Sequence, residues 1–256
     1  MQMVWRYIKF WLKSTNQHGV HSPFVYDLIT KCFYDNTKYP NYQSLKTYRS
    51  NLLTSKQLID VTDLGAKSRV MKNNVRSVSQ ILKTAGSTLK RTQLLYRIIK
   101  HFNSESILEL GTSLGVGTYA IALTNPKSNI ITIEGCPNTI NFTKSIFKRL
   151  NIEHCNFKNG NFKNIIPHLE QSQFDLIFFD GHHDKNATID YFQLLLDKTH
   201  NDTVFIFDDI YWSKGMTEAW NFIKNHPKVK VTIDTFFWGF VFFRKEQEKQ
   251  HFIIRV

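Results

Sequence analysis

Acidic residues are the scarce class in this 256-residue chain: 21 Asp and Glu stand against 33 Lys and Arg, for a formal charge of +12. A positive field gathers anions, so a nucleic acid, an anionic membrane surface or an acidic small molecule are all compatible partners. The basic residues are nonetheless spread along the chain. They cluster only between Lys83 and Lys100 and near the C-terminus, and no nucleic-acid-binding module accompanies them, so a solvated basic surface is favoured over a nucleic-acid stripe. Cysteine is scarce too. Cys32, Cys136 and Cys155 are odd in number and too widely spaced for a metal-ligand pair or a disulfide framework, which fits buried thiols in a cytoplasmic protein. No apolar run is long enough to span a bilayer. The N-terminus lacks the continuous apolar segment and small-residue cleavage site of a signal peptide. Repeats, low-complexity tracts and Pro/Gly/Ser-rich linkers are absent, which favours one compact body.

What is present excludes disorder: 42% of residues are hydrophobic and 14% aromatic, enough for one α/β domain with a helical extension. Residues 1–102 read as a helical N-terminal cap, with helices expected over 3–14, 23–33, 42–53, 73–84 and 89–102. In the first of these, Val4, Ile8, Trp11 and Leu12 share a face while Arg6, Lys9 and Lys13 lie elsewhere. That pattern is compatible with peripheral membrane contact. Packing on the chain's own domain, or on a sister subunit in a homodimer, is the favoured alternative.

Residues 103–256 change character. Seven short β-rich runs follow one another: SILELG, NIITIEG, CNFKNG, FDLIFFDG, TVFIFDD, VKVTID and WGFVFFRK. Helix-length segments join the first five, which predicts a doubly wound, seven-stranded, mainly parallel α/β sheet, and the close spacing of the last two predicts an antiparallel hairpin.

The first run enters TSLGVGTYAIAL, so Gly111, Gly115 and Gly117 line a strand-to-helix turn where the backbone can approach a ligand and free N–H groups can hold an anion. The second run ends in Glu134, where folds of this kind hold ribose hydroxyls. A phosphate-binding P-loop is excluded because no Lys-Ser or Lys-Thr pair follows the glycines. A nicotinamide fingerprint would require G-x-G-x-x-G, which is not supplied. A similar strand-to-glycine stretch at 59–68 is discounted, since no strand ending in an acid follows it; Gly65 there is a surface turn or part of an approach loop.

The remaining pattern, E-x-G-x-x-x-G from Glu109, resembles motif I of class I S-adenosylmethionine-dependent methyltransferases, particularly the catechol, caffeoyl-coenzyme A and macrocin O-methyltransferases. The resemblance runs from about Leu94 to Arg244. It implies S-adenosylmethionine as cofactor, held by Glu109, Gly111, Gly115, Gly117, Glu134 and Asp180, with Asn161 reading the adenine amino group. The segments HGVHSPFVYDLI, YRSNLL, DLGAKS and QHFIIRV resemble an N-terminally extended bacterial group of such enzymes. In related folds the segment before motif I covers the acceptor, which would make His18, His21 and Arg49 wall residues; helix caps and surface charges are the favoured alternative.

Three carboxylates stand at strand ends: Asp180 after the fourth run, Asp208 and Asp209 after the fifth. Adjacent strands lie about 4.8 Å apart, so these oxygens could converge on one Mg²⁺, activating a hydroxyl acceptor. The triad and the DGHHDK run look like the metal site of the macrocin-type enzymes. His182 stands where that pattern has an acid and is the candidate general base, with Asp180 beside it as the second catalytic residue; His183 and Lys185 are held in reserve. Helix capping by Asp208 or Asp209, and a metal-free site using His182 alone, stay open. Trp212 would stack on a flat or sugar-like acceptor, or pack in the core. The expected activity is O-methylation of a small molecule. A nucleic-acid methyltransferase is the first rival, favoured by charge and disfavoured by the absence of an N-P-P-Y-like tetrapeptide after the fourth run. A non-catalytic binding protein is the second.

Overall fold

The computed structural model describes residues 2–62 and 74–256; Gly65 lies outside them. The chain opens with α1 (Gln2–Lys13), α2 (Pro23–Leu28) and α3 (Asn41–Thr54), and α2 widens into a π turn over Ile29–Phe33. A hairpin of β1 (Leu58–Asp60) and β2 (Val75–Ser77) follows, which the helical reading of this half did not anticipate. The helix expected from residue 73 begins instead at Val78, as α4 (Val78–Ala85), because Ser77 and Gln80 form a reciprocal capping box that fixes its start. α5 (Leu89–Phe102) starts on a Thr88 cap and stops at Asn103, which adopts a left-handed conformation.

The main sheet then assembles from β3 (Ser106–Leu110), β4 (Asn129–Glu134), β5 (Cys155–Asn159), β6 (Phe174–Phe179), β7 (Thr199–Asp208), β8 (Val231–Asp234), β9 (Trp238–Phe242) and β10 (Gln250–Ile253). Its order is β10-β8-β9-β7-β6-β3-β4-β5. The run β7-β6-β3-β4-β5 is parallel, while β9 lies antiparallel between β7 and β8. The fold class is as expected; the strand count is corrected from seven to eight. The extra strand, β10, is a short, largely exposed edge whose pairing with β8 shows in no apolar run.

Between the strands run α6 (Val116–Ala122), α7 (Pro137–Arg149), α8 (Phe162–Ile165), α9 (Lys185–Leu195) and α10 (Lys214–Asn225). The period of two in each strand decides which layer each side chain joins. Ile107, Leu176, Phe178, Val204 and Ile206 face a core shared with Val25, Leu28, Leu95, Ile98 and Ile99 of the N-terminal helices. Their neighbours Leu108, Ile177, Phe179, Phe205 and Phe207 face Phe192, Trp220 and Ile223 of α9 and α10. The N-terminal helices therefore supply part of one helical layer of the sheet.

The layer of α9 and α10 is close packed against the sheet. A Cβ added at Gly239 in β9 would come within 2.7 Å of two ring carbons of the buried Trp220. Gly239→Ala is expected to cost about 1–3 kcal/mol by overpacking, read as a lower urea midpoint with unchanged m-value. An unchanged midpoint would show that Trp220 has room to yield.

Candidate active site

The chain runs from β3 out to β5 on one side, then returns to place β6 beside β3, so the strand order reverses between them. Open α/β sheets bind ligands at such a reversal, beyond the carboxyl ends of the strands. Here a cleft of about 370 Å³ opens at that edge, lined among others by Gly111, Ser113, Glu134, Asn161, Asp180 and Asp208. This volume lies within the usual range for small-ligand pockets.

The glycine turn has a strict geometric cause. Gly111 has φ +109°, and a Cβ there would collide with the Asp180 carbonyl oxygen. Its N–H donates to the Ile133 carbonyl at 2.9 Å, and Asp180 N–H donates to the Leu110 carbonyl at 2.9 Å. Those two bonds bring the ends of β3, β4 and β6 to one point. Glu134 then reaches back across it: its carboxylate accepts from Ser113 N–H at 2.8 Å and from Cys136 N–H at 2.9 Å. Ser113, His182 and Asp209 hold left-handed backbones at φ +46°, +68° and +54°, and all three line the cleft. Such strain gathers where a site fixes its geometry.

The other residues of motif I stand behind the wall. Glu109 is 1% exposed, and its carboxylate accepts from the Thr118 and Thr132 hydroxyls at 2.5 and 2.7 Å. Gly117 lets α6 pass over it, since a Cβ would lie 2.5 Å from Glu109 Oε1. Gly115, at φ +72°, begins α6 under Tyr48, Thr143 and Phe147. Asn161 lines the cleft, while its side-chain oxygen caps α8 by accepting from Lys163 N–H at 2.9 Å.

In the same cleft Asp180, Asp208 and His183 bring one ligand atom each within 4.8 Å of one another. Of the expected aspartate triad, two members thus converge, and His183 joins them where Asp209 was expected. Asp208 ends β7 in strand geometry, whereas Asp209 leaves it in the left-handed region. Neither caps the helix that follows, because Ser213 caps α10, accepting from Met216 N–H at 3.0 Å. Trp238 Nε1–H donates to Asp208 at 2.6 Å, and the Arg91 guanidinium lies 3.6 Å from the same oxygen. Burial and the neighbouring Asp208 push the Asp180 carboxyl well above the usual carboxylate range. The same two causes raise Asp209 to about 6, against the pull of His183 and Arg91. His182 is fixed through Nδ1, 3.1 Å from the Tyr191 hydroxyl.

Arg91 is the participant that sequence reasoning missed. It lines the cleft and stacks 4.1 Å from the centroid of Phe237, yet in the sequence it is one of many bases in the Lys83 to Lys100 cluster. Only the pairing of α5 with the distant β8–β9 turn could have marked it. His18 and His21 are exposed and away from the cleft wall, and Arg49 reaches it indirectly, donating from Nε to the carbonyl of the wall residue Ser87 at 3.2 Å. Trp212 is 41% exposed on the cleft wall rather than in the core.

Residues 108–210 match the model of a family described as a methyltransferase domain. Among solved structures, the S-adenosylhomocysteine-bound methyltransferase PaMTH1 of Podospora anserina is similar at TM-score 0.62 and 14% identity, over 88% of this chain and 97% of that one. The O-methyltransferase TomG of Streptomyces achromogenes is similar at TM-score 0.58 and 14% identity, over 81% and 91%. An O-methyltransferase of Bacillus cereus gives TM-score 0.57 and 16% identity, over 82% and 94%. Among curated proteins no sequence matches. The match over residues 108–210 bears out the resemblance to the class I methyltransferases drawn from motif I.

Glu109 yields a pH prediction. Burial raises its carboxyl from 4.5 to about 7, so the folded chain binds that proton more tightly than the unfolded chain. Its contribution to stability is greatest below about 4.5 and is lost as pH rises toward about 7. Glu109→Gln, which cannot ionise, should gain on the wild type by on the order of 2 kcal/mol between about pH 5 and pH 8. Melting curves at the two pH values check this; a stability difference that does not change with pH would contradict it.

Proposed function

We propose that this chain is an S-adenosylmethionine-dependent O-methyltransferase acting on a small-molecule acceptor. The observation that carries the reading is that one cleft is lined by the Gly111 and Ser113 turn, by Glu134 and by the Asp180–Asp208 pair. Four carboxylates, Glu134, Asp180, Asp208 and Asp209, line it in a chain of net charge +12, an arrangement that favours a cationic ligand such as a sulfonium. The S-adenosylhomocysteine-bound PaMTH1 and the Bacillus cereus enzyme in complex with the same molecule support that cofactor class.

In this reading Glu134 holds the ribose hydroxyls and the Gly111–Ser113 backbone receives the amino-acid end. Asn161 and Phe162 border the adenine. Bound S-adenosylmethionine supplies an electrophilic methyl carbon. What the protein adds is alignment and control of the acceptor's proton. In the tautomer whose Nδ1–H donates to the Tyr191 hydroxyl, His182 presents Nε2 as the acceptor for that proton. Trp212 and Phe237 offer flat faces to an acceptor, and Arg91 keeps the Asp208 charge partly offset.

The Asp180, His183 and Asp208 set fits a divalent cation, because two carboxylates and an imidazole bring one ligand atom each within 4.8 Å of one another. A cation such as Mg²⁺ held there would lower the pKa of an acceptor hydroxyl.

Titration calorimetry with S-adenosylmethionine tests the reading. Wild type should bind, and Glu134→Ala should lose about tenfold to a hundredfold in affinity, the worth of one or two hydrogen bonds to a charged group. An unaffected Glu134→Ala affinity, or no binding by the wild type, would reject it. The metal set has its own check, Mn²⁺ binding followed by electron paramagnetic resonance. His183→Ala and Asp208→Asn should each weaken Mn²⁺ retention while Asp209→Asn largely spares it; loss in Asp208→Asn and Asp209→Asn with retention in His183→Ala would restore the three-aspartate arrangement.

A further inference from the structure

α1 is held to the body along one side only. Phe10, buried at 6%, and Tyr7 pack on Phe236 at ring-centroid distances of 5.4 and 4.9 Å. Arg6 Nη1 donates to the Tyr211 carbonyl at 2.7 Å. Beyond the helix, Thr15 N–H donates to the Ile253 carbonyl and Arg255 N–H to the Thr15 carbonyl, so β10 clamps its C-terminal end.

The opposite side is apolar and uncovered. At 3.6 residues per turn, Trp11, Val4, Ile8, Leu12 and Trp5 fall in one arc of about 120°. Their exposures are 52%, 61%, 41%, 72% and 63%. Large hydrophobics left in water on one helix face mark an interaction surface. Lys9 and Lys13 border this arc, and Arg255 lies over the Trp11 ring at 5.4 Å from the centroid. No acidic residue precedes Asp27 in the chain. None of the described helices is long and apolar enough to cross a membrane, but this one needs only to lie along a surface.

We propose that α1 docks the chain on an anionic lipid surface, with the Trp5 to Trp11 arc entering the headgroup boundary and Lys9 and Lys13 contacting lipid phosphates. The charge selects this occupant over a second copy. A two-fold contact through α1 would set the same basic border against itself, with no acid within the helix to answer it. The arc would also bury only on the order of 500 Å² per partner, below the about 800 Å² per partner of a stable protein interface. An anionic bilayer instead matches both halves of the pattern: apolar area and two tryptophans for the boundary, lysines for the phosphates. Because Arg6 grips the carbonyl of Tyr211, the docking helix is fastened to the loop that carries Trp212 onto the cleft wall.

Co-sedimentation of the full chain with vesicles tests this independently of the cofactor reading. Vesicles of phosphatidylcholine with one third phosphatidylglycerol should bind at least about tenfold more tightly than phosphatidylcholine alone, and about 0.5 M salt should release the protein. The variants Lys9→Glu/Lys13→Glu and Leu12→Glu should each lose about tenfold or more while keeping the wild-type circular dichroism spectrum and melting temperature. Failure of the wild type to bind anionic vesicles, or equal binding by both variants, would overturn the proposal. So would a concentration-dependent dimer in sedimentation velocity that Leu12→Glu dissolves in the absence of any vesicle binding.

Discussion

The close approach of the Gly111 backbone to the Asp180 carbonyl is the constraint on which the site depends. β3 and β6 are neighbours in the sheet although 63 residues of β4, β5 and their helices lie between Leu110 and Phe174. Where they meet, no side chain fits at position 111. The Asp180 to Leu110 and Gly111 to Ile133 hydrogen bonds hold three strand ends together. From this one junction Glu134 points back toward the glycine turn and Asp180 toward Asp208. A ligand spanning the cleft would therefore touch the ends of four consecutive strands of the sheet, β4, β3, β6 and β7.

A fixed junction requires a rigid foundation, and the residues beneath the turn provide it. Glu109 receives two hydroxyls under α6, and Gly117 allows the helix to come down onto it. Tyr48 donates from α3 to the Leu114 carbonyl at 2.7 Å, and its ring stacks on Tyr119 at 4.4 Å. The N-terminal helices thus brace the back of the turn as well as covering a sheet face. Motif I residues divide accordingly: Gly111 meets the cleft, while Glu109, Gly115 and Gly117 shape the support.

Much of this could be read in the sequence because the physics involved is local. Alternating or continuous apolar runs such as FDLIFF and TVFIFD announce central strands, and a glycine turn after the first of them announces the ligand edge. β10 escaped because an edge strand buries little and carries no such pattern. β2 escaped because three residues paired to another short strand leave no periodic signature. Arg91 reaches Asp208 only through the tertiary packing of α5, and His183 comes within 4.8 Å of Asp180 and Asp208 only in the folded chain. Neither is a property of spacing. The α1 pattern was visible, but only the structure shows which of its faces the body covers.

Whether the junction at Gly111 seats an adenosyl donor beside the Asp180–Asp208 edge is decided by a crystal structure of the chain with S-adenosylhomocysteine. Ribose hydroxyls are expected on the Glu134 carboxylate, the amino-acid end along residues 111–113, and the sulfur turned toward Asp180. Ligand density elsewhere on the molecule, or an empty cleft at saturating ligand, would contradict it.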